Sequence, residues 1–378
     1  MMNKKGLYIH IPFCHKICSY CDFCKRVSNI NQINKYIDYL IKEIDLYQED
    51  NFSFDQIDTI YIGGGTPSMI GLTNLEKLLK RIDKLNINYK EYTIEINPED
   101  LTITLIDLLF KYHITRVSIG VQTLSEKLIR IINRDFNFER FKQAYLYLKT
   151  KIPNINIDLM YAIPNQTLDD LEDSINKILA LEPTHLSIYS LIIEPKTIIY
   201  HQLEIGEIKT ISEDLEMEMV SLIHKLIFPK YKQYEISNYY LKADVDFRSI
   251  HNLKYWHNEE YLGLGLNASS YLINRFKNVS SLKLYYALID QNKIPIDKDS
   301  IEIIDINEKK KYEIIMGLRL IEGINILDYQ QKYNSFIFDD FKNIPKLIEE
   351  QYLILNNNQL FINPDYLYLM NTILIKII

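Results

Sequence analysis

The sequence predicts an α/β fold in which parallel strands form a partial (β/α)6 TIM-like barrel, followed by a smaller α+β C-terminal region. Strand-like runs alternate with helical patterns through roughly the first 228 residues, and such alternation requires parallel strands joined by right-handed crossovers. Most of these strands have one polar face, whereas a closed eight-stranded barrel fills its lumen with bulky aliphatic side chains. We therefore expect an open barrel whose interior holds a polar ligand.

The elements of this barrel follow one another regularly along the chain. The predicted strands are 7–13, 59–64, 92–97, 116–122, 156–162 and 185–192. The predicted helices lie near 31–48, 73–86, 102–112, 125–150, 168–181 and 212–228. In the fourth strand, for example, the polar Ser118 alternates with Val117 and Ile119. Ligands bind at the carboxyl ends of strands in this class of fold, so we expect the functional residues at those ends.

Charge and hydropathy exclude two classes of protein. The 378 residues include 43 Lys and Arg and 50 Asp and Glu, which gives a net charge of −7. A general nucleic-acid binder needs a basic surface to release the counterions of the phosphates, so we expect no nucleic-acid partner. No run reaches the roughly 20 uncharged apolar residues that span a bilayer, and the polar start is unlike a signal peptide. We expect a cytoplasmic protein with at most peripheral membrane contact.

All four cysteines lie close together, and their spacing predicts a metal cluster. They are Cys14, Cys18, Cys21 and Cys24. A disulfide framework would spread its cysteines along the chain, and a structural zinc site usually adds a second pair of ligands about a dozen or more residues away. An iron–sulfur cluster, in contrast, can take three thiolates from one short loop. The spacing favours a cluster on Cys14, Cys18 and Cys21, with a zinc-stabilised scaffold as the alternative.

Three protein ligands would leave one iron of a cubic cluster open to a small molecule. The segment Tyr8-Ile-His-Ile-Pro-Phe-Cys14-x3-Cys18-x2-Cys21-Asp-Phe23 resembles the radical S-adenosylmethionine (SAM) superfamily, and within it the oxygen-independent coproporphyrinogen III oxidase family. This resemblance implies a [4Fe–4S] cluster on the three cysteines and SAM on the open iron. It also implies that the partial barrel is a radical SAM core, which we expect over residues 1–228.

A run of glycines supports the same interpretation. Three of the eleven glycines are consecutive, at positions 63–65, where the second strand ends. Without a Cβ the backbone can approach a ligand closely, although a flexible turn is the alternative. The run resembles the family's segment for the methionine part of SAM. By the same resemblance, SAM would be bound by Tyr8, Tyr20, Gly64, Gly65, Thr66, Glu95, Gln122, Arg134 and Asp158.

The second half of the chain carries a different motif. We expect a family-specific heme-binding region over 229–300 and a small winged-helix-like domain over 301–378. In the first of these, His251-Asn-x-x-Tyr-Trp256 resembles the heme-binding motif of the heme-chaperone branch of the family. Histidine offers an axial nitrogen to heme iron, and aromatic rings offer flat apolar surface to a porphyrin. A packed, hydrogen-bonded histidine is the alternative interpretation of His251.

The residues after the third cysteine distinguish the oxidase branch of this family from the heme-chaperone branch. The decarboxylating oxidases usually have Cys-x-Cys there, whereas this chain has Phe23 followed by Cys24, an extra thiol where the chaperone branch commonly has Asn. These features favour the heme-chaperone (HemW-type) branch, which would bind heme and transfer it to an acceptor protein. The alternative is an oxygen-independent coproporphyrinogen III oxidase. Radical chemistry would also require an electron donor, and no catalytic residue is assigned.

Overall fold

The computed structural model describes residues 4–378 and has the predicted alternation of strands and helices in its first half. The elements there are β1 (Lys5–Ile11), α1 (Ile30–Glu49), β2 (Ile57–Gly64), α2 (Leu72–Asp83), β3 (Glu91–Ile96), α3 (Ile103–Lys111), β4 (Arg116–Gln122), α4 (Glu126–Ile131), α5 (Phe138–Lys151), β5 (Asn154–Tyr161), α6 (Leu168–Leu179), β6 (His185–Ser190), α7 (Ile198–Glu204) and α8 (Glu213–Ile227). All six predicted strands are present, and their ends lie within two residues of the prediction.

The second half contains shorter elements. They are β7 (Tyr231–Gln233), β8 (Asn238–Leu241), α9 (Ile250–Trp256), β9 (Tyr261–Leu264), β10 (Ser269–Tyr271), β11 (Arg275–Asn278), α10 (Leu282–Asp290), β12 (Ile296–Glu302), α11 (Ile306–Gly317), β13 (Ile324–Asn325), α12 (Ile326–Tyr333), α13 (Ile337–Asp340), α14 (Ile344–Glu349), β14 (Leu353–Asn356), β15 (Gln359–Ile362) and α15 (Met370–Ile377). Among the helices of residues 4–378, none has the length and apolar composition that a membrane span requires.

One twelve-stranded sheet runs through the molecule in the order β12-β11-β10-β9-β1-β2-β3-β4-β5-β6-β8-β7. Strands β1 to β6 are parallel neighbours in chain order. On the other side of β1, β9 pairs in parallel and begins an antiparallel extension. Since β12 and β7 stand at opposite ends of this order, the sheet is open. The predicted α/β class, with a partial barrel, is confirmed.

Helices cover one face of this sheet with apolar side chains. Leu7, Ile9 and Ile11 of β1 are fully buried in the same cluster as Ile37 and Leu40 of α1. Burial of a side chain of this size contributes about 1.5–3 kcal/mol, so the apolar positions determine which face of each strand meets the helices. The opposite, polar face then lines the interior of the barrel. A separate cluster of buried residues accompanies the sheet of β13, β15 and β14 near the C-terminus.

The prediction of a single helix over 125–150 is wrong, because the structure has α4 and α5 there. Asn133 has a positive φ of 54°, a left-handed conformation that ends a helix and that Asn tolerates better than most residues. Asn137 then caps α5, since its side chain accepts a hydrogen bond from the backbone N–H of Arg140 at 2.9 Å. The break leaves Arg134 on a loop, where its long side chain can reach the interior.

Helix α9 lies beneath the amino ends of the central strands. Glu91, the first residue of β3, accepts hydrogen bonds from the backbone N–H groups of Ile250 at 3.0 Å and His251 at 2.9 Å. These are N–H groups of the first helical turn, which have no partner within a helix. The Ser249 hydroxyl donates to the same carboxylate at 3.2 Å. Glu91 therefore fixes α9 at the end of the sheet opposite to the cysteines.

A buried carboxyl group of α1 holds the segment that follows β9. Glu43 accepts hydrogen bonds from the backbone N–H of Gly265 at 2.8 Å, the side-chain amide of Asn278 at 2.6 Å and the hydroxyl of Tyr285 at 2.5 Å. Burial raises the pKa of Glu43 to about 7, although these three hydrogen bonds oppose the increase. Near neutral pH the charge of this carboxyl therefore lowers the stability of the fold.

We predict that Glu43→Gln removes part of the pH dependence of stability. Between an unfolded pKa of about 4.3 and the folded pKa of about 7, the folded protein holds a proton that the unfolded chain has lost. The contribution of Glu43 to the free energy of unfolding therefore falls as the pH rises through this window, and the stability is greatest on the acid side. Glutamine does not titrate, so the variant lacks this part of the pH dependence.

Urea unfolding of both proteins at about pH 4.5 and about pH 8 measures the effect. The wild-type-minus-variant difference in the free energy of unfolding should fall by up to about 3 kcal/mol between the two pH values. An unchanged difference would contradict the assignment of this titration to Glu43.

Candidate functional site

The four cysteines lie on the loop between β1 and α1, at the carboxyl end of β1. Two backbone hydrogen bonds close the base of this loop, from Cys14 N to Arg26 O at 3.1 Å and from Arg26 N to Pro12 O at 2.7 Å. Within the loop, Cys21 N donates to Cys18 O at 3.2 Å. All four thiols are free and half-buried. The closed base keeps the thiols near the end of the barrel.

Three of these thiols share one cavity with most of the predicted SAM residues. Cys14, Cys18 and Cys21 line the cavity, which lies at the carboxyl ends of β1 to β4. All but one of the predicted SAM residues line it too, namely Tyr20, Gly64, Gly65, Thr66, Glu95, Gln122, Arg134 and Asp158. The residues brought together here fit an iron–sulfur cluster on three thiolates next to a polar organic cofactor.

Three further residues of this cavity, Asn97, Ser118 and Tyr189, were not predicted as site residues. The Asn97 amide donates to Thr66 Oγ1 at 3.1 Å, and the Tyr189 hydroxyl donates to Gln122 Oε1 at 2.6 Å. Asn97 and Tyr189 therefore position predicted site residues as well as line the cavity. The signal that could have identified them is the alternation of the strands, which places each of them on a polar face.

The glycine run allows β2 to end directly against the cysteine loop. A Cβ at Gly65 would lie 2.6 Å from the carbonyl oxygen of Phe13, which is closer than real Cβ atoms approach. Gly64 has a φ of 112°, and a Cβ there would overlap the ring of His10. Its backbone N–H donates to Glu95 Oε2 at 2.9 Å. A specific close packing, rather than a flexible turn, therefore explains these glycines.

Arg134 places a guanidinium against the cysteine loop. Its Nε donates to Cys18 Sγ at 3.5 Å, its Nη2 donates to Asn97 Oδ1 at 2.8 Å, and its Nη1 donates to the carbonyl oxygen of Gly120. A guanidinium has about five N–H groups in a planar fork, so these contacts leave further donors for a ligand. Such a fork suits a carboxylate, which is the group that the family resemblance assigns to Arg134.

Two half-buried carboxyl groups line the same cavity. Burial raises the pKa of Glu95 to about 7, and burial also raises the pKa of Asp158 above its usual range. Glu95 accepts a hydrogen bond from the Tyr61 hydroxyl at 2.7 Å, and Asp158 accepts one from the Asn156 amide at 2.6 Å. Because burial penalises their charged forms, these carboxyl groups favour a cationic ligand, which would lower both pKa values. SAM carries such charges on its sulfonium and amino groups.

Two of the three thiols, Cys14 and Cys21, favour the protonated form before any metal binds. Burial raises the pKa of the Cys14 thiol to about 11, and burial also raises the pKa of the Cys21 thiol. Iron must therefore displace protons from these thiols, because the thiolate is the ligand form. The same burial limits the access of water to a cluster held there.

Tyr8 lies beside this cavity and not in it. Tyr8 and Cys24 line a neighbouring cavity of about 310 Å³, and Glu95 lines both cavities. The Tyr8 hydroxyl is hydrogen-bonded to His10 Nδ1 at 2.9 Å, and His10 Nε2 is hydrogen-bonded to Cys24 O at 3.0 Å. The structure thus places Tyr8 next to Gly64 and Glu95 in the neighbouring cavity, which adjoins the cavity of the thiols. It also places Cys24 away from the three thiols, as an extra thiol would be.

His251, the predicted heme ligand, is buried in α9 with 1% of its surface exposed. Its Nδ1 is hydrogen-bonded to Thr59 Oγ1 at 2.8 Å, and its Nε2 is hydrogen-bonded to the Tyr255 hydroxyl at 2.8 Å. The ring also stacks on Tyr61, with centroids 5.2 Å apart. Burial lowers the pKa of His251 to about 3, so the ring is neutral. With both nitrogens engaged, this geometry does not fit an axial ligand, and it corresponds to the packed histidine that was the alternative.

Comparisons with known proteins identify relatives of this chain. Residues 8–178 match the family model described as the radical SAM superfamily. The heme chaperone HemW of Lactococcus lactis is 34% identical over 368 residues, which cover 96% of this chain and 92% of the relative. The heme chaperone HemW of Bacillus subtilis is 34% identical over 362 residues, which cover 93% of each chain. Among solved structures, coproporphyrinogen III oxidase (HemN) from Escherichia coli aligns with a TM-score of 0.84 over 99% of this chain and 90% of that chain, at 20% identity, and so shares the fold.

We predict that Cys14→Ser, Cys18→Ser and Cys21→Ser each lose the cluster, because these thiols line one cavity. Cys24→Ser is the matched control, since Cys24 lies on the same loop but lines the neighbouring cavity. Iron and sulfide analysis after anaerobic reconstitution measures the result. Wild type and Cys24→Ser should hold about four irons per chain, and the other three variants should hold little. Loss of iron from Cys24→Ser alone would contradict the assignment.

Proposed function

This chain belongs to the HemW family of the radical SAM superfamily, and from that premise we propose that it binds heme and passes it to an acceptor protein, with a [4Fe–4S] cluster and SAM as cofactors. The observation that carries the proposal is the cavity in which three thiols meet the predicted SAM residues. In this proposal, residues 1–228 hold the cluster and SAM, residues 229–300 contribute to heme binding, and residues 301–378 form a small winged-helix-like domain.

The residues of the thiol cavity have separate tasks in this proposal. Cys14, Cys18 and Cys21 hold the cluster as thiolates. When bound, and once reduced by an electron donor, the cluster would supply an electron to SAM. The backbone at 64–66 binds the amino group of SAM, and the remaining N–H donors of Arg134 bind its carboxylate. Glu95, as a buried acid, stabilises the positive charge of the cofactor.

The residues after the third cysteine support heme transfer over porphyrinogen decarboxylation. The oxidases that the chain resembles usually have a cysteine at the position of Phe23. Here the Phe23 side chain is 72% exposed and lines both the thiol cavity and its neighbour. Cys24 does not take the place of that cysteine, because it lines only the neighbouring cavity. Two relatives that cover 93% or more of this chain, from Lactococcus lactis and Bacillus subtilis, are heme chaperones by name.

Heme titration of anaerobically reconstituted protein, with and without SAM, tests the proposed function. We expect stoichiometric heme uptake, followed by transfer of the heme when an apo-hemoprotein is added. A parallel assay presents coproporphyrinogen III and a reductant under the same conditions, and we expect no conversion. A protein that takes up no heme but converts coproporphyrinogen III would show that the oxidase alternative is correct.

Arg134→Lys should weaken SAM binding. Lysine keeps the positive charge but lacks the planar guanidinium. It therefore cannot contact the thiol loop and still offer N–H donors to a carboxylate. Loss of one charge-assisted hydrogen bond of about 1.5–3 kcal/mol corresponds to about a 10- to 100-fold lower affinity. Equilibrium dialysis of labelled SAM against the reconstituted protein measures this affinity, and iron analysis verifies that the cluster is present.

Arg130→Lys provides the matched control for this measurement. Arg130 lies on α4, its side chain is 78% exposed, and it pairs with Glu126 at 3.5 Å on the surface. We expect wild-type affinity for this variant. An Arg134→Lys protein that contains the cluster and binds SAM as tightly as Arg130→Lys would remove Arg134 from the proposed SAM site.

A further inference from the structure

A second cavity, of about 250 Å³, lies inside the barrel between the thiol cavity and α9. We call it the interior cavity. Phe23, Glu95 and Asp158 line both it and the thiol cavity, so the two adjoin. At its other end it is lined by Ser249 and Asn252, at the start of α9. Of the predicted SAM residues only Glu95 and Asp158 line it, so most of its lining has no part in the proposed SAM site.

Arg116 places a buried guanidinium in the interior cavity. It is the first residue of β4, and 2% of its surface is exposed. Its Nη1 donates to Asn154 Oδ1 at 2.9 Å and to the carbonyl oxygen of Phe247 at 3.2 Å, and both acceptors are neutral. Within residues 4–378 its Nε and Nη2 have no hydrogen-bond partner, and the side chain forms no ion pair. A buried cation without a counter-ion destabilises a fold, so this arrangement fits an anion in the cavity.

Two further hydrogen-bond donors line the same space. The side-chain amide of Asn252 has no hydrogen-bond partner in the described part of the chain, where only the backbone N–H of this residue is bonded. The Ser118 hydroxyl accepts a hydrogen bond from the Asn156 amide at 2.8 Å, which leaves its own proton for a ligand. Together with the guanidinium, these groups suit a ligand that accepts hydrogen bonds and carries negative charge.

The carboxyl groups of the interior cavity do not neutralise Arg116. Glu95 is hydrogen-bonded to the Tyr61 hydroxyl and Asp158 to the Asn156 amide, and neither forms an ion pair with Arg116 among the described residues. Burial raises the pKa of both carboxyl groups, which favours their neutral forms. Both stand at the boundary with the thiol cavity, where the positive groups of SAM are proposed to lie. The guanidinium is therefore available to a second, anionic group.

We propose that the interior cavity binds the carboxylate of an organic ligand, with Arg116 as its principal partner and with Asn252 and Ser118 as further donors. A guanidinium can bind a carboxylate through two parallel hydrogen bonds. The cavity has room for a carboxylate arm or a small acid but not for a porphyrin ring. In this arrangement the motif at 251–256 contributes a donor to the barrel interior, through Asn252, and not an axial ligand.

Two sources share this chemistry. One is a propionate side chain of heme, and in that case the inference rests on the proposed function. The other is a free small carboxylic acid, and in that case the inference is independent of heme. The experiments below distinguish the two sources.

Isothermal titration calorimetry of reconstituted, heme-free protein tests the site with sodium propionate and with propionamide as its neutral analogue. We expect propionate to bind and propionamide not to bind. A hydrogen bond to a charged group is worth about 10- to 100-fold in affinity. Arg116→Gln should therefore weaken propionate binding by at least about tenfold, and Arg116→Lys, which keeps the charge, should retain more of it. A purely structural role of Arg116 would not distinguish propionate from propionamide.

Asn252→Asp keeps the test valid if the Arg116 variants do not fold. It preserves the size of a side chain whose amide has no protein partner, and it places a carboxylate in the interior cavity that should exclude propionate. Asn88→Asp is the matched control, because it adds the same charge at an exposed position between α2 and β3. We expect wild-type binding for this control, and iron analysis verifies the cluster in every variant.

Heme and heme dimethyl ester, which lacks the propionate charges, distinguish the two sources. If the source is heme, Arg116→Gln weakens the binding of heme but not that of the ester. If only propionate binding depends on Arg116, the ligand is a free carboxylic acid. The inference is overturned if neither propionate binding nor heme affinity differs between wild type and the Arg116→Gln and Asn252→Asp proteins. A wild type that binds propionate but no heme would contradict the proposed function and leave the carboxylate site established.

Discussion

The parallel pairing of β1 to β6 is the constraint on which the functional site depends. Parallel strands bring their carboxyl ends to one edge of the sheet, so the cysteine loop after β1, the glycines after β2 and Gln122 at the end of β4 meet at one cavity. A shift of one residue in the register of a strand would turn its polar side chains toward the helices. The burial of residues such as Ile9 and Ile11 therefore positions the site as strongly as the hydrogen bonds of the sheet do.

The thiol cavity is lined by both a cationic side chain and carboxyl groups, and its proposed cofactor carries groups of both charges. Arg134 supplies a guanidinium beside Cys18, and Glu95 of β3 and Asp158 of β5 supply half-buried carboxyl groups on either side of β4. A cofactor with a carboxylate and a positive centre stabilises both kinds of group. Polar side chains in the barrel interior lower the stability of the fold unless they find partners, and such a ligand would supply those partners. The aliphatic lumen of a closed barrel has no such requirement.

The features that were predictable from the sequence depend on residues close to each other in the chain. The period of two in the strands and the spacing of the cysteines are local, and they predicted the α/β class and the three thiols, whereas the predicted SAM residues came from the family resemblance. One of the two partners of His251 is not local, since Thr59 lies 192 residues away, so the motif did not reveal that both nitrogens are occupied. The helix break at Asn133 was missed because a positive φ at one Asn has no periodic signal. A motif gives residue types but not which of two adjacent cavities a side chain lines, so the sequence did not show that Tyr8 lies in the neighbouring cavity.

The central claim is that three thiols hold a four-iron cluster whose remaining iron binds SAM. Mössbauer spectroscopy of protein reconstituted anaerobically with isotopically enriched iron, recorded with and without SAM, tests this claim most directly. We expect the spectrum of a [4Fe–4S] cluster in which one iron of the four changes its parameters when SAM is added. A spectrum without such a cluster, or one in which all four irons are insensitive to SAM, would contradict it.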